Sequence, residues 1–155
     1  MRIRRLSAAA ILAVALGVTT LAGATPASAA TGSWTVNRTH YTIYFDGGYA
    51  TTLFSKQTST LPNNGQITST TVQVTPYPNG RTSETVNICY QQLYSTTDYR
   101  CTGLLSITGG TTISVPDFNG LDPKGTVTVR HTLYGGTYPA TALGAQDTVT
   151  VNYQY

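Results

Sequence analysis

Residues 148–155, with the sequence TVTVNYQY, alternate strictly between polar residues and apolar or aromatic ones. Successive side chains of a β-strand point to opposite faces, so this stretch predicts a strand with one buried and one solvated face. Val127, Val129 and Leu133 share one face of an earlier stretch in the same way, with His131 in phase with them. No window has a convincing helical period. The alternation therefore favours an all-β protein.

Turn signals separate these alternating stretches along the chain. They include Asn63-Asn64-Gly65, Asn119-Gly120 and Gly135-Gly136, and we read Gly109-Gly110 as a tight hairpin. Seven or eight strands result. One face of each sheet is exposed to solvent, so the other face must be buried. The expected architecture is therefore a β-sandwich of two packed antiparallel sheets, with a closed barrel as the alternative.

Three local expectations follow from the first strands. The lone Trp34 should be buried, because a tryptophan in an early strand usually anchors a core. The apolar phase flips after His40, which places Tyr41, Ile43 and Phe45 together on one face. A second phase shift separates Ile67 from the later valines of its strand. Such flips indicate a bulge or a strand end.

The N-terminus has the organisation of a secretory signal peptide. Arg2, Arg4 and Arg5 precede an uncharged apolar run over residues 6–23, and Ala27-Ser28-Ala29 is a small-residue cleavage site. A membrane anchor is the alternative, but the run is short and dilute for one. We predict a signal peptide over residues 1–30, cleaved after Ala29 or Ala30, and one secreted domain over residues 31–155. The mature chain then has no membrane span and is extracellular or periplasmic.

Charge excludes one class of partner. Once residues 1–30 are removed, six basic and six acidic side chains remain, scattered singly along the chain. Nucleic-acid binding needs a basic patch, and this sequence has none. The mature protein is therefore not expected to bind nucleic acid.

Cys89 and Cys101 are the only cysteines. In an exported protein such a pair predicts a disulfide, which would stabilise this short loop by about 3 kcal/mol. A metal pair or a reactive thiol is the alternative, but neither histidine lies nearby in sequence. We predict the disulfide.

Catalytic residues are hard to find. His40 and His131 are the only histidine bases, and each is better explained as a packed residue. The aspartates lie in or beside predicted turns, and Glu84 stands alone at a strand start. A calcium loop over residues 117–122 lacks the closing glutamate. We therefore predict no catalytic residue, no metal site, no cofactor and no enzymatic activity.

Exposed tyrosines are the better candidates for binding. Tyr90, Tyr94 and Tyr99 flank the loop between the cysteines. Tyrosines of this kind stack on sugars or dock protein partners, although tyrosine is also a favoured strand residue. These three form the predicted binding surface.

Several short motifs, in this order and spacing, resemble the flagellar protein FlhE family. They are Gly32-Ser33-Trp34, Val86-Asn87-Ile88-Cys89 with Cys101, Gly109-Gly110-Thr111 before Val115-Pro116, and Val149-Thr150-Val151-Asn152-Tyr153. The resemblance implies a small exported β-sandwich that is not an enzyme. It also implies a role in the periplasm, in flagellar assembly or at the export gate, of a chaperone-like kind.

Together these observations predict a secreted, non-enzymatic binding or chaperone-like protein of the cell envelope. Its partner would be a protein or a glycan of the envelope. A carbohydrate-binding or cell-wall-binding module is one alternative. A secreted hydrolase inhibitor, acting through the loop around Tyr94, is another.

Overall fold

The computed structural model describes residues 29–155, which contain nine β-strands and two short 3-10 helices. The strands are β1 (Thr31–Thr39), β2 (Tyr49–Phe54), β3 (Gln66–Val74), β4 (Ser83–Gln91), β5 (Asp98–Cys101), β6 (Leu105–Ile107), β7 (Thr111–Ser114), β8 (Thr126–Tyr134) and β9 (Gln146–Gln154). The 3-10 helices are Thr58–Thr60 and Pro116–Phe118. Nothing helical in this part of the chain is long and apolar enough to cross a membrane. The predicted signal peptide lies almost wholly outside the described residues.

All strand pairs are antiparallel, and they form two sheets. The first sheet has the order β1-β9-β3-β7. The second has the order β2-β8-β4-β5, with β6 pairing beside β5 on the same edge of β4. The predicted two-sheet β-sandwich is confirmed, with short strands such as β6 raising the strand number to nine.

The alternating pattern decides which side chains fill the space between the sheets. Val149, Val151 and Tyr153 of β9 are buried, and they face Val127 and Val129 of β8 in one core cluster. Trp34 of β1 belongs to the same cluster, as predicted, and its indole N–H donates to the carbonyl of Pro123 at 3.1 Å. The phase shift in β3 is also confirmed, as a register shift between Ile67 and Ser69.

Gly109-Gly110 does not form the hairpin that we predicted. It connects β6 to β7, but β6 pairs with β4 and β7 pairs with β3, so the two glycines carry the chain from one sheet to the other. A glycine pair permits a sharp reversal in either case. The choice between a hairpin and a crossover depends on which partner strand is free, and local sequence does not contain that information.

The segment after β1 also differs from the prediction. Ile43 is buried and forms an isolated bridge to Ala140, whereas Tyr41 and Phe45 are exposed. The segment is a loop rather than a strand, so the two-residue alternation does not apply to it. Ile43 instead belongs to a second, smaller core cluster at one end of the sandwich, together with Ala50, Tyr77, Leu133 and Ala140.

Candidate functional site

Four ionisable side chains are buried towards one end of the sandwich. Glu84 shares the inward face of β4 with Val86 and Ile88, and Asp147 shares that of β9 with Val149. His131 lies on the inward face of β8, and His40 directly follows β1. Ionised groups are rarely buried unless they are paired. Pairing of β4 with β8 places Glu84 near His131, and packing of the two sheets adds Asp147 and His40, so that the four form one buried polar cluster.

His131 lies between two carboxylates. Its Nδ1 is 2.5 Å from Oε1 of Glu84, and its Nε2 is 2.7 Å from Oδ2 of Asp147. Burial would lower the pKa of His131, but the hydrogen bonds and charges of Asp147 and Glu84 together raise the pKa to about 9. The imidazolium form, which donates from both nitrogens, satisfies both carboxylates.

Asp147 connects the two sheets through this imidazolium. Its Oδ1 also accepts a hydrogen bond from the backbone N–H of Thr75 at 2.9 Å. Burial would raise the pKa of Asp147, but His131 and the nearby His40 lower the pKa to about 2. Asp147 belongs to the first sheet and His131 to the second, so their contact holds the sheets together at this end.

Glu84 has its own compensating contacts. Its Oε2 accepts the backbone N–H of Tyr77 at 3.0 Å and lies 2.6 Å from Nε of Arg81. The same Arg81 nitrogen donates to the carbonyl of Tyr77 at 2.9 Å. The tyrosine hydroxyl in turn donates to the carbonyl of Tyr41. The loop before β4 is thereby bound to the buried polar cluster.

His40 is the member of the cluster whose polar atoms lack partners. Its side chain is 1% exposed. The centre of its ring lies 4.4 Å from the ring centre of His131 and 5.0 Å from that of Tyr77. Nε2 is 2.9 Å from Oδ1 of Asp147, but neither ring nitrogen has an aligned hydrogen bond within residues 29–155. A buried, unbonded imidazole is costly, so this position is unusual.

The sequence did not reveal this cluster, although a signal for it was present. Glu84 and His131 occupy positions that the strand alternation assigns to the core, where an ionisable residue is unexpected. Our reading of Asp147 as a residue beside a turn was wrong, because it is the second residue of β9 and points inward. Glu84, His131 and Asp147 are thus ionisable residues at strand positions whose parity assigns them to the core, and that combination is the signal.

The three tyrosines of the predicted binding surface differ in their exposure to solvent. Tyr94 is 94% exposed at the tip of the loop, with a φ of 62° that is unusual for a residue with a side chain. Tyr99 is also exposed. Tyr90 is not part of any surface: it is 2% exposed, packs near Phe118 and donates its hydroxyl to the carbonyl of Asp122 at 2.7 Å. The residue has inward parity on β4, which explains its burial.

The predicted disulfide is confirmed. Cys89 of β4 and Cys101 of β5 are direct cross-strand partners and are bonded to each other. Their side chains lie on the outward face of the second sheet, since the neighbouring Tyr90 points inward. The bond closes the loop that carries Tyr94 onto the sheet edge.

A larger group of exposed aromatic side chains lies at the other end of the second sheet. Tyr49 and Tyr134 have the same outward parity, because Tyr49 pairs with Thr132 two residues before Tyr134. Tyr44 and Phe45 lie in the turn that leads into β2. These four side chains, which we call the aromatic corner, are 43% to 72% exposed.

Hydrogen bonds hold the turn of the aromatic corner against β8. The N–H of Gly47 donates to the carbonyl of Leu133 at 2.9 Å, and the N–H of Leu133 donates to the carbonyl of Gly48 at 3.1 Å. The carboxylate of Asp46 accepts the N–H of Gly135 at 2.7 Å. Gly47 has a φ of +72°, which favours glycine at this point of the turn. The corner is therefore an ordered surface.

The aromatic corner and the Tyr94 loop lie at opposite ends of β4. Ser83 pairs with Tyr134, whereas Gln91 pairs with Asp98 next to the loop. At about 3.3 Å per residue, these two ends of the nine-residue strand are roughly 26 Å apart. They are two separate candidate surfaces.

Comparison with known proteins identifies the fold. No protein-family model matches the chain, and no curated protein sequence is similar to it. Among solved structures, the crystal structure of FlhE is similar, with a TM-score of 0.58 and 19% sequence identity over 81% of this chain and 98% of that one. A chain of turnip yellow mosaic virus has a TM-score of 0.44 at 13% identity, over 82% of this chain and 93% of the viral one. The chain therefore has an FlhE-like fold.

Proposed function

We propose that this chain is a secreted, non-enzymatic binding domain of the cell envelope and that the aromatic corner contacts its protein partner. The observation that carries the proposal is that Tyr44, Phe45, Tyr49 and Tyr134 are all exposed and that strand register and the hydrogen bonds of the turn place them at one end of the second sheet. The FlhE-like fold directs the search for that partner to appendage and export components of the envelope.

The chemistry of the corner favours a protein over a glycan. Tyrosine, phenylalanine and arginine are enriched in the cores of protein interfaces. A small number of interface residues supplies most of the binding energy. The guanidinium of Arg130 lies 5.3 Å from the centre of the Tyr49 ring, and Leu53 extends the apolar surface along β2. Exposed Phe45 and Leu53 offer no hydrogen bond to a sugar hydroxyl, whereas they would be buried by a protein.

The non-enzymatic part of the proposal depends on the buried polar cluster. The side chains of His40, Glu84, His131 and Asp147 are 0% to 1% exposed, so a solvent-borne substrate does not reach them in this conformation. General acid and base catalysis requires direct contact with the reacting group, or contact through one water. The cluster thus has the composition of a catalytic site without access for a substrate.

The test is a capture experiment with matched variants. The precursor is expressed in a host that exports and oxidises it, and the immobilised product is exposed to envelope extract of the producing cells. Tyr49→Thr with Tyr134→Thr removes two rings of the corner but keeps a residue that suits a strand. Tyr94→Thr, at the opposite end, is the matched control.

We expect a specific protein to be captured by the wild type and by the Tyr94 variant, and to be lost with the corner variant. Bound material that is only glycan would replace the proposal with a carbohydrate-binding module. Capture that depends on Tyr94 would instead favour the inhibitor hypothesis. Capture that is insensitive to both changes would refute a role for the corner.

A further inference from the structure

The buried polar cluster contains a set of metal-ligand atoms that come from both sheets. One nitrogen each from His40 and His131 and one carboxylate oxygen of Asp147 lie within 4.8 Å of one another. His131 belongs to the second sheet, while Asp147 belongs to the first and His40 follows its edge strand. Residues that are distant in sequence thus bring three ligand atoms to one point.

His40 is the independent observation that points to a ligand. Its ring is buried against two other rings, and both of its nitrogens lack a hydrogen bond within the described part of the chain. Leaving a buried polar group unsatisfied destabilises the folded state. A cation bound at Nε2, the nitrogen that lies 2.9 Å from Asp147, would satisfy that nitrogen and leave only Nδ1 without a partner in the described residues.

The surrounding groups are arranged as those around a protein metal site. A histidine ligand commonly donates its other ring N–H to a carboxylate, which orients the ring. Nδ1 of His131 has such a partner in Oε1 of Glu84 at 2.5 Å, leaving Nε2 directed at Asp147. Asp147 is itself oriented by the N–H of Thr75. The outer contacts leave Nε2 of His131 and the carboxylate of Asp147 facing each other, so a bound cation would take the place of the proton between them.

We propose that His40, His131 and Asp147 bind one divalent cation of the zinc class, with Glu84 as the group that orients His131. Two imidazoles and a carboxylate are donors that zinc accepts, at bond lengths of about 2.0–2.2 Å. Ligand atoms around a tetrahedral ion are then about 3.3 Å apart. The carboxylate lies 2.7 and 2.9 Å from the two histidines, so each of these two distances needs to open by well under 1 Å.

Such a site would stabilise the fold. The two carboxylate oxygens of Asp147 face different histidines, so both are available to the ion. The ligands are closed to solvent, as in structural rather than catalytic zinc sites, and the ion would join the two sheets. This inference does not depend on the aromatic corner and holds whatever the partner is.

The experiment measures metal binding directly. The exported protein, without a polyhistidine tag, is stripped with a chelator and titrated with Zn²⁺ by calorimetry. Co²⁺ absorption reports the ligand geometry. His40→Gln is the key variant, because this ring has no aligned hydrogen bond to lose and the variant should fold. Asp98→Asn, which changes a partly exposed acid paired with Arg130, is the matched control.

We expect one Zn²⁺ per chain in the wild type and in the Asp98 variant, and a tetrahedral Co²⁺ spectrum. His40→Gln should abolish stoichiometric binding while circular dichroism shows a native fold. Glu84→Gln, if folded, should weaken binding by about 10–100-fold, the usual effect of losing an outer-shell partner. The inference is overturned if the folded wild type binds no Zn²⁺, or if the His40 variant binds it equally well.

Discussion

Replacing Asp147 with asparagine removes one of the two negative charges that hold His131 as an imidazolium. The change keeps the shape of the side chain, and the amide oxygen can still accept the N–H of Thr75. Removing one partner of a buried ion pair costs about 3–5 kcal/mol. We expect the lower end, about 3 kcal/mol, because the imidazole can release its proton rather than remain charged.

This loss converts into a large change in melting temperature. A domain of this length has an unfolding entropy near 0.3 kcal/mol/K at about 2.1 cal/mol/K per residue, so Asp147→Asn should lower the Tm by about 10 °C. The assay is thermal and urea unfolding of the chelator-treated protein, followed by circular dichroism. Chelation is necessary because the proposed cation would add its own stabilisation to the wild type.

His40→Gln is the comparison that makes the result interpretable. The ring of His40 touches the same carboxylate but has no aligned hydrogen bond, so the metal-free variant should lose about 1 kcal/mol or less. The reasoning is refuted if Asp147→Asn costs under 1 kcal/mol. It is also refuted if the two variants are equally destabilised, because the imidazolium of His131 would then not be the connection between the sheets.

Two further predictions concern the other end of the second sheet. Reducing the disulfide between Cys89 and Cys101, 12 residues apart, should lower the free energy of unfolding by about 3 kcal/mol, which urea unfolding with and without reductant measures. Burial, with a smaller contribution from the charge of Asp122, raises the pKa of Tyr90 to about 12 from its usual 10. The folded state therefore favours the neutral phenol, so stability should be unaffected by this group below pH 10 and fall by up to about 3 kcal/mol between pH 10 and 12. Tyr90→Phe should reduce that alkaline loss, and an unchanged pH dependence would show that Tyr90 does not cause it.

The local sequence pattern was sufficient to predict burial where a residue's neighbours along the chain determine its environment. The alternation in β8 and β9 predicted buried valines, and the position of Trp34 predicted its burial, because a strand with one wet face sorts side chains by parity. The bond between Cys89 and Cys101 was predictable because they are the only cysteines, so an oxidising compartment leaves a single possible pairing within the chain.

Local pattern failed where the answer depended on which strands become neighbours. Gly109-Gly110 has the sequence of a hairpin turn but connects two sheets. The decisive contacts of this glycine pair are with strands far away in the chain, and no local propensity reports them. Tyr90 is a different case, because its parity with Val86 and Ile88 on β4 is a local signal that directs it into the core and that outweighs its position beside the loop.

The amino-acid sequence by itself determined that this protein is an all-β domain with a solvated face on each sheet, a cysteine pair in one loop and no charge excess outside the predicted signal peptide. Only the tertiary structure decided that Glu84, His131 and Asp147 form one network with His40, and that the exposed aromatics gather at a corner away from the Tyr94 loop. The physical reason is that hydrophobic alternation specifies which face of a strand is buried, whereas sheet order and register specify which buried side chains meet.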